Sequence, residues 1–587
     1  MSAGRIQRRP APDPAAIDAL READMPPLLA RLYAARAVSA ADGLALSLDR
    51  LAPFSSFRGM DAAVDLLETA LHENQKVVIV GDYDADGATS CALLMRGLAA
   101  MGLDKVGYQV PDRFRFGYGL SPEIVAVVAE GRPDLLITVD NGISSLEGVA
   151  AARAAGMRVL ITDHHLPGSE LPAADAIVNP NQPGCGFPSR ALAGVGVAFY
   201  LLLALRARLR ERGWFAAHGR EAPNLGQWLD LVALGTVADV VPLDANNRIL
   251  VEQGLRRIRA GRACPGILAL LRAGKRDPAR CVASDLGFAA GPRLNAAGRL
   301  EDMTLGIECL LTDDPVRAEQ LASRLDTLNR ERRDIEARMQ EEALAQLDAH
   351  LVAQAGELPW GLCLFDQQWH PGVVGIVASR VKERYHRPVI AFAPEDDAHV
   401  KGSARSIPGL HIRDALDAVA AHHPGLITRF GGHAMAAGLS LPAANLEPFR
   451  AAFDAEVRRV LDETHLTGTL LSDGELAAEE FDLALAEALR YAGPWGQGFP
   501  EPVFDGVFTV VNWRVVGERH LKMVVSPEAG GGTLDAIAFG QEPPAALRGD
   551  GGAGGEARLH LAYRLDVNTF RGRRSVQLLV EHMAPVV

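Results

Sequence analysis

The segment Gly81-Asp82-Tyr83-Asp84-Ala85-Asp86-Gly87 sets three carboxylates at alternate positions, directly after the apolar run Val77-Val78-Ile79-Val80. At the exit of a buried strand such acids repel one another and lose hydration, so the cluster needs a cation to neutralise it. Hard divalent ions such as Mg²⁺ and Mn²⁺ prefer carboxylate oxygen. A solvated acidic loop is the alternative, and the rest of the chain decides between the two.

Three further sites follow apolar runs that read as strand ends. Leu135-Leu136-Ile137-Thr138-Val139 delivers Asp140, then Asn141-Gly142. Val159-Leu160-Ile161-Thr162 delivers Asp163-His164-His165, and the run 231–238 leads to Asp239. Singly, each has a bland reading: Asp140 fits a helix N-cap, Asp239 falls in a helical pattern, and the histidines fit a turn. Together they fit one rim of a parallel sheet. Aspartates with imidazole suit two metal ions about 3.5–4 Å apart that activate water and stabilise a phosphoryl transition state.

The elements that must position these groups read as alternating strand and helix: strands at 77–80, 106–110, 135–139 and 158–162, helices at 89–101, 121–130 and 144–155. That alternation predicts an α/β fold with a parallel sheet covered on both faces. Ligands then bind beyond the carboxyl ends of the strands. From 314 to 354 an uninterrupted helical pattern carries Leu321, Leu325, Leu328, Ile335 and Met339 on one stripe. At about 1.5 Å per residue it spans roughly 60 Å, enough to join two domains. A second α/β segment follows, then β-rich runs at 507–516, 521–525 and 576–580, with glycine loops at 530–532 and 551–555. The expected organisation is a helical lead-in (1–56), a first α/β domain (57–312), the long helix (313–354), a second α/β domain (355–462) and an all-β barrel or sandwich (463–587).

Composition bounds the function. At 587 residues, 48% hydrophobic and 23% charged, the chain suits a soluble multidomain protein. The apolar run 191–205 is too short to cross a bilayer and reads as a buried helix. Arg5, Arg8 and Arg9 lead into prolines, so no signal peptide is expected. The six cysteines form no Cys-x-x-Cys pair, which fits reduced thiols in the cytoplasm and argues against structural zinc. A net charge of −13 does not favour nucleic acid, yet binding depends on local basic surface and metal.

These motifs resemble those of the DHH phosphoesterase family, named for the Asp-His-His found here at Asp163-His164-His165. Gly-Asp-Tyr-Asp-Ala-Asp-Gly resembles its RecJ branch of single-strand-specific DNA exonucleases. So do Pro111-Asp112-Arg113 with Gly117-Tyr118-Gly119, Asn179-Pro180, and Gly291-Pro292-Arg293-Leu294-Asn295-Ala296-Ala297-Gly298-Arg299. Gly431-Gly432-His433-Ala434-Met435-Ala436-Ala437-Gly438 resembles the signature of the DHH-associated domain. The likeness runs from about residue 57 to the C-terminus. It implies a DHH-type parallel-sheet domain joined by the long helix to a DHH-associated domain, followed by an OB-like nucleic-acid-binding domain. It implies that Asp84, Asp86, Asp140, His164 and Asp239 hold two Mg²⁺ or Mn²⁺ ions, with Asp82 beside them. Val80 stands where other members of the superfamily carry histidine, which implies fewer nitrogen ligands to the first metal. His165 is placed to polarise the scissile phosphate or protonate the leaving oxygen.

An exonuclease must also grip phosphates and bases. Arg113 follows a strand and suits a bidentate phosphate clamp. Arg293, Asn295 and Arg299 lie in a Gly/Ala-rich segment that permits close backbone approach. Lys401-Gly402-Ser403-Ala404-Arg405 and Gly431-Gly432-His433 read as phosphate-binding elements, the latter also as a glycine turn opening a helix. The resemblance gives Ser403 and Arg405 a terminal 5′-phosphate; the residues alone give no polarity. The run 329–333 fits a solvated helix face or a DNA-tracking one. The glycines at 372 and 375 suit a strand-to-helix turn and no nucleotide loop. In the β-rich region Phe570, Arg571, Arg573 and Arg574 at a hairpin suit base stacking with charge along a backbone.

The reading is a metal-dependent exonuclease that digests single-stranded DNA from the 5′ end to mononucleotides. Its setting would be repair and recombination, as a cytoplasmic monomer beside a single-strand-binding protein and a helicase, without membrane. A phosphoesterase of oligoribonucleotides or adenosine bisphosphate keeps the site but has no use for the β extension. A non-catalytic replication scaffold has no use for the intact acids and histidines.

Overall fold

The computed structural model describes residues 4–111, 119–353, 357–517, 520–528, 530–547, 557–570 and 572–586. A strand, β1 (Arg5–Arg8), opens the chain, followed by helices Pro14–Glu22 and Pro27–Ala34. The lead-in is therefore helical apart from β1. This short basic segment pairs in parallel with Thr469–Ser472 near the other end of the chain, so nothing local in the sequence announces it.

The first α/β unit holds β2 (Val77–Gly81), β3 (Val106–Gln109), β4 (Leu135–Val139), β5 (Arg158–Thr162) and β6 (Ala176–Val178). They form one wholly parallel sheet in the order β3-β2-β4-β5-β6. β4 is buried along its whole length, as expected of a strand covered on both faces, and it reads as continuous Leu/Ile/Val rather than alternation. The strand order reverses between β2 and β4, the place where open sheets bind ligands. Of the two elements that the run 231–238 suggests, strand end and helix, the strand is wrong: the run forms part of the helix Leu229–Ala238, with Asp239 at its C-terminal end. Its residues are buried all round, so it shows no amphipathic period that separates helix from strand.

The helix Pro315–Ala353 runs 39 residues, about 58 Å at 1.5 Å per residue. Leu321, Leu325 and Leu328 enter the core of the first unit, while Met339, Ala343 and Leu347 enter the core of the second. One apolar stripe thus serves two domains. The second unit contains β7 (Leu362–Phe365), β8 (Val389–Pro394), β9 (His399–Arg405), β10 (Arg429–Gly432) and β11 (Ala436–Pro442), in the order β10-β11-β9-β8-β7. Gly431-Gly432-His433 lies at a β10–β11 hairpin, not at the start of a helix.

After β12 (Thr469–Ser472) come β13 (Phe504–Val516), β14 (His520–Pro527), β15 (Leu534–Ala538), β16 (Arg558–Phe570) and β17 (Arg573–Pro585). These last five close a barrel in the order β13-β14-β15-β17-β16. The C-terminal unit is not purely β. The helix Leu483–Tyr491 buries Ala486 and Leu489 in the same core as the barrel residues Phe504, Phe508 and Tyr563. No helix among the described residues is long and apolar enough to cross a membrane.

Candidate metal centre

The acidic loop is shaped by helix capping. The Asp84 Oδ1 accepts the backbone N–H groups of Asp86 (2.9 Å) and Gly87 (3.0 Å) and so caps the helix Ala85–Met101. A Cβ on Gly87 would stand 2.4 Å from the Asp82 carbonyl oxygen, so the turn closes only over glycine. The Asn295 side chain accepts Ala85 N–H at 2.7 Å and holds the loop from outside.

Asp86 is fully buried and accepts the N–H groups of Gly194 (2.6 Å) and Val195 (2.9 Å) at the start of the helix Gly194–Glu211. Asp140 leaves β4 in the left-handed region at φ +61°, a conformation that Asp tolerates better than most residues. The His164 Nε2 lies 3.0 Å from an Asp140 oxygen, 3.6 Å from an Asp239 oxygen and 4.0 Å from an Asp86 oxygen. A hydrogen bond to the Leu192 backbone engages the histidine from another side. Three sets of donor atoms each fall within 4.8 Å of one another: Asp86, His164 and Asp239; Asp82, Asp84 and Asp140; and Asp140, His164 and His165. The fold therefore gathers all seven acids and histidines singled out in the sequence.

Their electrostatics are those of an anionic pocket built for a cation. Burial, then the Asp84 charge, raises Asp86 to about 7. Burial and the neighbouring carboxylates raise Asp140 and Asp239 well above the carboxylate range. Burial lowers His164 to about 4, leaving a neutral imidazole, the form that ligates metal. The donors are hard oxygens with imidazole nitrogen, a set that suits Mg²⁺ or Mn²⁺.

Asp163 does other work. Its Oδ1 receives the His165 Nδ1 at 2.7 Å and the His164 and His165 N–H groups, while Oδ2 accepts Ile143 N–H. Burial lowers the pKa of His165, but the Asp163 hydrogen bond and charge outweigh it and lift the group to about 9, an imidazolium at neutral pH. Asn179 and Asn181 bind the carbonyl oxygens of His165 and His164. The His165 ring lies 6.1 Å from that of His433, at 18° between planes, so the second unit reaches the rim of the first.

The other sequence-selected residues scatter. Arg293 is buried against Asp326 (2.7 Å) and two backbone carbonyls, bracing its helix to the long one. Arg299 binds the Gly372 carbonyl oxygen of the second unit at 2.9 Å. Ser403 and Arg405 share β9 and hydrogen-bond each other at 3.1 Å, beside Gly375 in the helix Val374–Tyr385. Arg573 is exposed at the β16–β17 hairpin, and Arg574 pairs with Glu487. Arg113 and Arg571 lie outside the described residues. Within 329–333, Asn329 and Arg332 are buried with Glu336 while Arg330, Glu331 and Arg333 are exposed, so the stretch carries one buried side and one solvated side. Sequence reading missed Gly194, Val195 and Asn181. The small-residue run Gly194-Val195-Gly196 ahead of an apolar helix was the available signal for the first two.

Residues 76–236 match the DHH family N-terminal domain, 352–459 the DHHA1 domain and 472–582 the RecJ OB domain. The chain is 56% identical to the single-stranded-DNA-specific exonuclease RecJ of Dickeya dadantii over 99% of both chains. It is 53% identical to that of Escherichia coli over 96% of this chain and 97% of the other. Among solved structures it resembles RecJ of Thermus thermophilus in complex with Mn²⁺, with a TM-score of 0.80 at 30% identity, covering 100% of this chain and 80% of that one. The Mg²⁺ complex of the same protein matches at 0.74 and 28%, covering 100% of this chain and 79% of that one.

Proposed function

The chain belongs to the RecJ family of single-stranded-DNA-specific exonucleases, and on that premise we propose that it digests single-stranded DNA from the 5′ end to mononucleotides at the carboxylate rim. The observation that carries this is the convergence of Asp82, Asp84, Asp86, Asp140, Asp239, His164 and His165 on one edge of the sheet. Mn²⁺ and Mg²⁺ are the ions found in homologous RecJ structures. Asp84, Asp86, Asp140, His164 and Asp239 hold two such ions, with Asp82 alongside. Ions held there supply charge neutralisation at the phosphoryl oxygens and acidify water at neutral pH.

The remaining steps belong to side chains. His165, held as imidazolium by Asp163 at Nδ1, offers its Nε2–H as hydrogen-bond donor to a phosphate oxygen and serves the departing oxygen as acid. Arg405 is half-buried and, among the described residues, has no carboxylate partner; desolvation alone lowers its pKa. A guanidinium in that setting favours an anion such as a terminal 5′-phosphate. Register supports the assignment: Arg405 pairs with Ala436 across β9 and β11, at the end of the sheet that carries His433 to His165. A phosphate at Arg405 would therefore set the first linkage over the metal rim. The barrel, with Arg573 exposed at its hairpin, extends the grip to longer strands. By the family likeness the protein acts in repair and recombination as a cytoplasmic monomer, beside a single-strand-binding protein and a helicase.

The test is digestion of 5′- and 3′-labelled single strands, duplex and RNA with Mn²⁺ or Mg²⁺, with Asp84→Ala and Arg405→Ala in parallel. Labelled mononucleotide should appear first from the 5′-labelled single strand, vanish in Asp84→Ala, and lose its dependence on a 5′-phosphate in Arg405→Ala. Earlier release from the 3′ label, or full activity in Asp84→Ala, contradicts the reading.

A further inference from the structure

Asp239 ends the helix Leu229–Ala238, its N–H donating to the Gly235 carbonyl oxygen at 2.9 Å and that of Val240 to the Val237 carbonyl oxygen at 3.3 Å, and the chain turns sharply just beyond it. The next residue, Val240, is in the left-handed region at φ +62°, a costly conformation for a β-branched residue that persists only where surrounding structure imposes it. Beyond those helix-end bonds, contacts at Pro242 and Leu243 hold the rest of the turn. From within the catalytic unit, Asn247 Nδ2 donates to the Pro242 carbonyl oxygen at 2.9 Å. From outside it, the Gln497 carbonyl oxygen accepts the Leu243 N–H at 2.7 Å.

Gln497 belongs to the loop between the helix Leu483–Tyr491 and β13, both part of the barrel unit. The loop is closed on itself by paired backbone hydrogen bonds between Gly496 and Phe499 (2.9 and 3.1 Å). It lies against the Asp239 turn with no room to spare. A Cβ on Gly496 would stand 2.7 Å from Leu243 Cδ1, and one on Gly498, at φ +72°, 3.2 Å from Pro242 Cβ. An aromatic stack fixes the loop: Trp495 and Phe499 at 5.2 Å, with Tyr33 of the lead-in 6.0 and 6.3 Å from them. The Arg36 guanidinium covers Trp495 and that of Arg248 covers Phe499. Arg36 also donates to the Pro500 carbonyl oxygen at 2.6 Å and makes a buried bidentate pair with Asp473.

We infer that the 493–499 loop is a positioning element for Asp239, so that docking of the C-terminal barrel sets the metal affinity of the catalytic centre as well as the grip on DNA. The barrel then acts on the chemistry through the backbone of Leu243, without touching the ions. The inference rests on the assignment of Asp239 as a metal ligand, and the test separates the two.

The test is titration of Mn²⁺ into the full-length chain without DNA, followed by calorimetry or by the electron paramagnetic resonance of free Mn²⁺. Trp495→Ala removes the centre of the stack, Trp495→Phe keeps an aromatic there, and Leu243→Ala deletes the loop contact from the catalytic side. Asp239→Ala is the reference. Trp495→Ala and Leu243→Ala should raise the Mn²⁺ Kd about ten-fold, the size of one lost interaction. Trp495→Phe should restore most of the affinity, and excess Mn²⁺ should recover kcat. If Trp495→Ala does not fold by circular dichroism, Leu243→Ala decides between coupling and independence. Wild-type Mn²⁺ affinity in the folded variants, with weakened affinity in Asp239→Ala, overturns the coupling and leaves the metal assignment standing. Wild-type affinity in Asp239→Ala itself overturns both.

Discussion

Gly194→Ala adds one methyl group where two proposed metal ligands meet. A Cβ at this position lies 2.7 Å from the Asp140 Cβ, 2.9 Å from its Cα and 3.0 Å from its Oδ1. The Asp140 backbone is already held at φ +61°. On the other side stand the Gly194 and Val195 N–H groups that orient Asp86. Neither wall yields without moving a ligand. Overpacking a closed site by one methyl costs about 1–3 kcal/mol. If that strain is relieved by displacing Asp140 and Asp86, it appears as a fall in Mn²⁺ affinity of about ten- to hundred-fold, at about 1.4 kcal/mol per factor of ten. Calorimetric Mn²⁺ titration and the exonuclease rate at limiting and saturating Mn²⁺ measure it. Gly107→Ala is the control, since nothing lies within 4 Å of a Cβ there. Wild-type Mn²⁺ affinity and rate in a folded Gly194→Ala variant would refute the close packing on which the site geometry depends.

Asp163→Asn takes the charge from His165 but no donor from the proposed ligand set. It should lower kcat about 10²–10⁴-fold with KM for single-stranded DNA nearly unchanged, and equal loss of Mn²⁺ binding would show that Asp163 ligates metal after all. Arg293→Ala leaves Asp326 with Arg330 as its remaining partner and should cost about 1–3 kcal/mol in urea denaturation, whereas an unchanged midpoint returns Arg293 to a substrate role. Asp505, buried with Ser472, Arg8 and His560, is desolvated, yet these partners draw its pKa below the ordinary value. Its folded pKa lies under its unfolded one, so its stabilisation is full above the unfolded pKa near 3.9 and is lost as pH falls through the folded pKa. Asp505→Asn should therefore lower stability by about 1–3 kcal/mol at pH 7, with the gap from wild type shrinking in acid. A gap that widens in acid reverses the sign and contradicts the assignment.

The residues that converge in the candidate site were largely legible because their signals are local. Strand-terminal acids after Val77-Val78-Ile79-Val80 and Leu135–Val139 carry their own context, and a parallel sheet brings strand ends together without further information. For Asp239 the residue was legible but the element was left between strand end and helix, because a helix buried on nearly every side shows no period. Arg293 was misleading: a glycine-rich neighbourhood suggested approach of substrate, and only the tertiary partner Asp326 shows the buried brace. Least legible were β1 and the Trp495 loop. Their partners, Thr469–Ser472 and the Asp239 turn, lie hundreds of residues away in sequence, and no periodicity encodes such a pairing.

The central claim is that the carboxylate rim between β2 and β4 is a divalent-metal nuclease centre. Anomalous diffraction at the manganese edge from crystals of the full chain soaked in Mn²⁺ tests it most directly. Two peaks about 3.5–4 Å apart, within bonding distance of Asp84, Asp86, Asp140, His164 and Asp239, are the expected result. Fully occupied Mn²⁺ elsewhere, with these side chains left unligated, would contradict it.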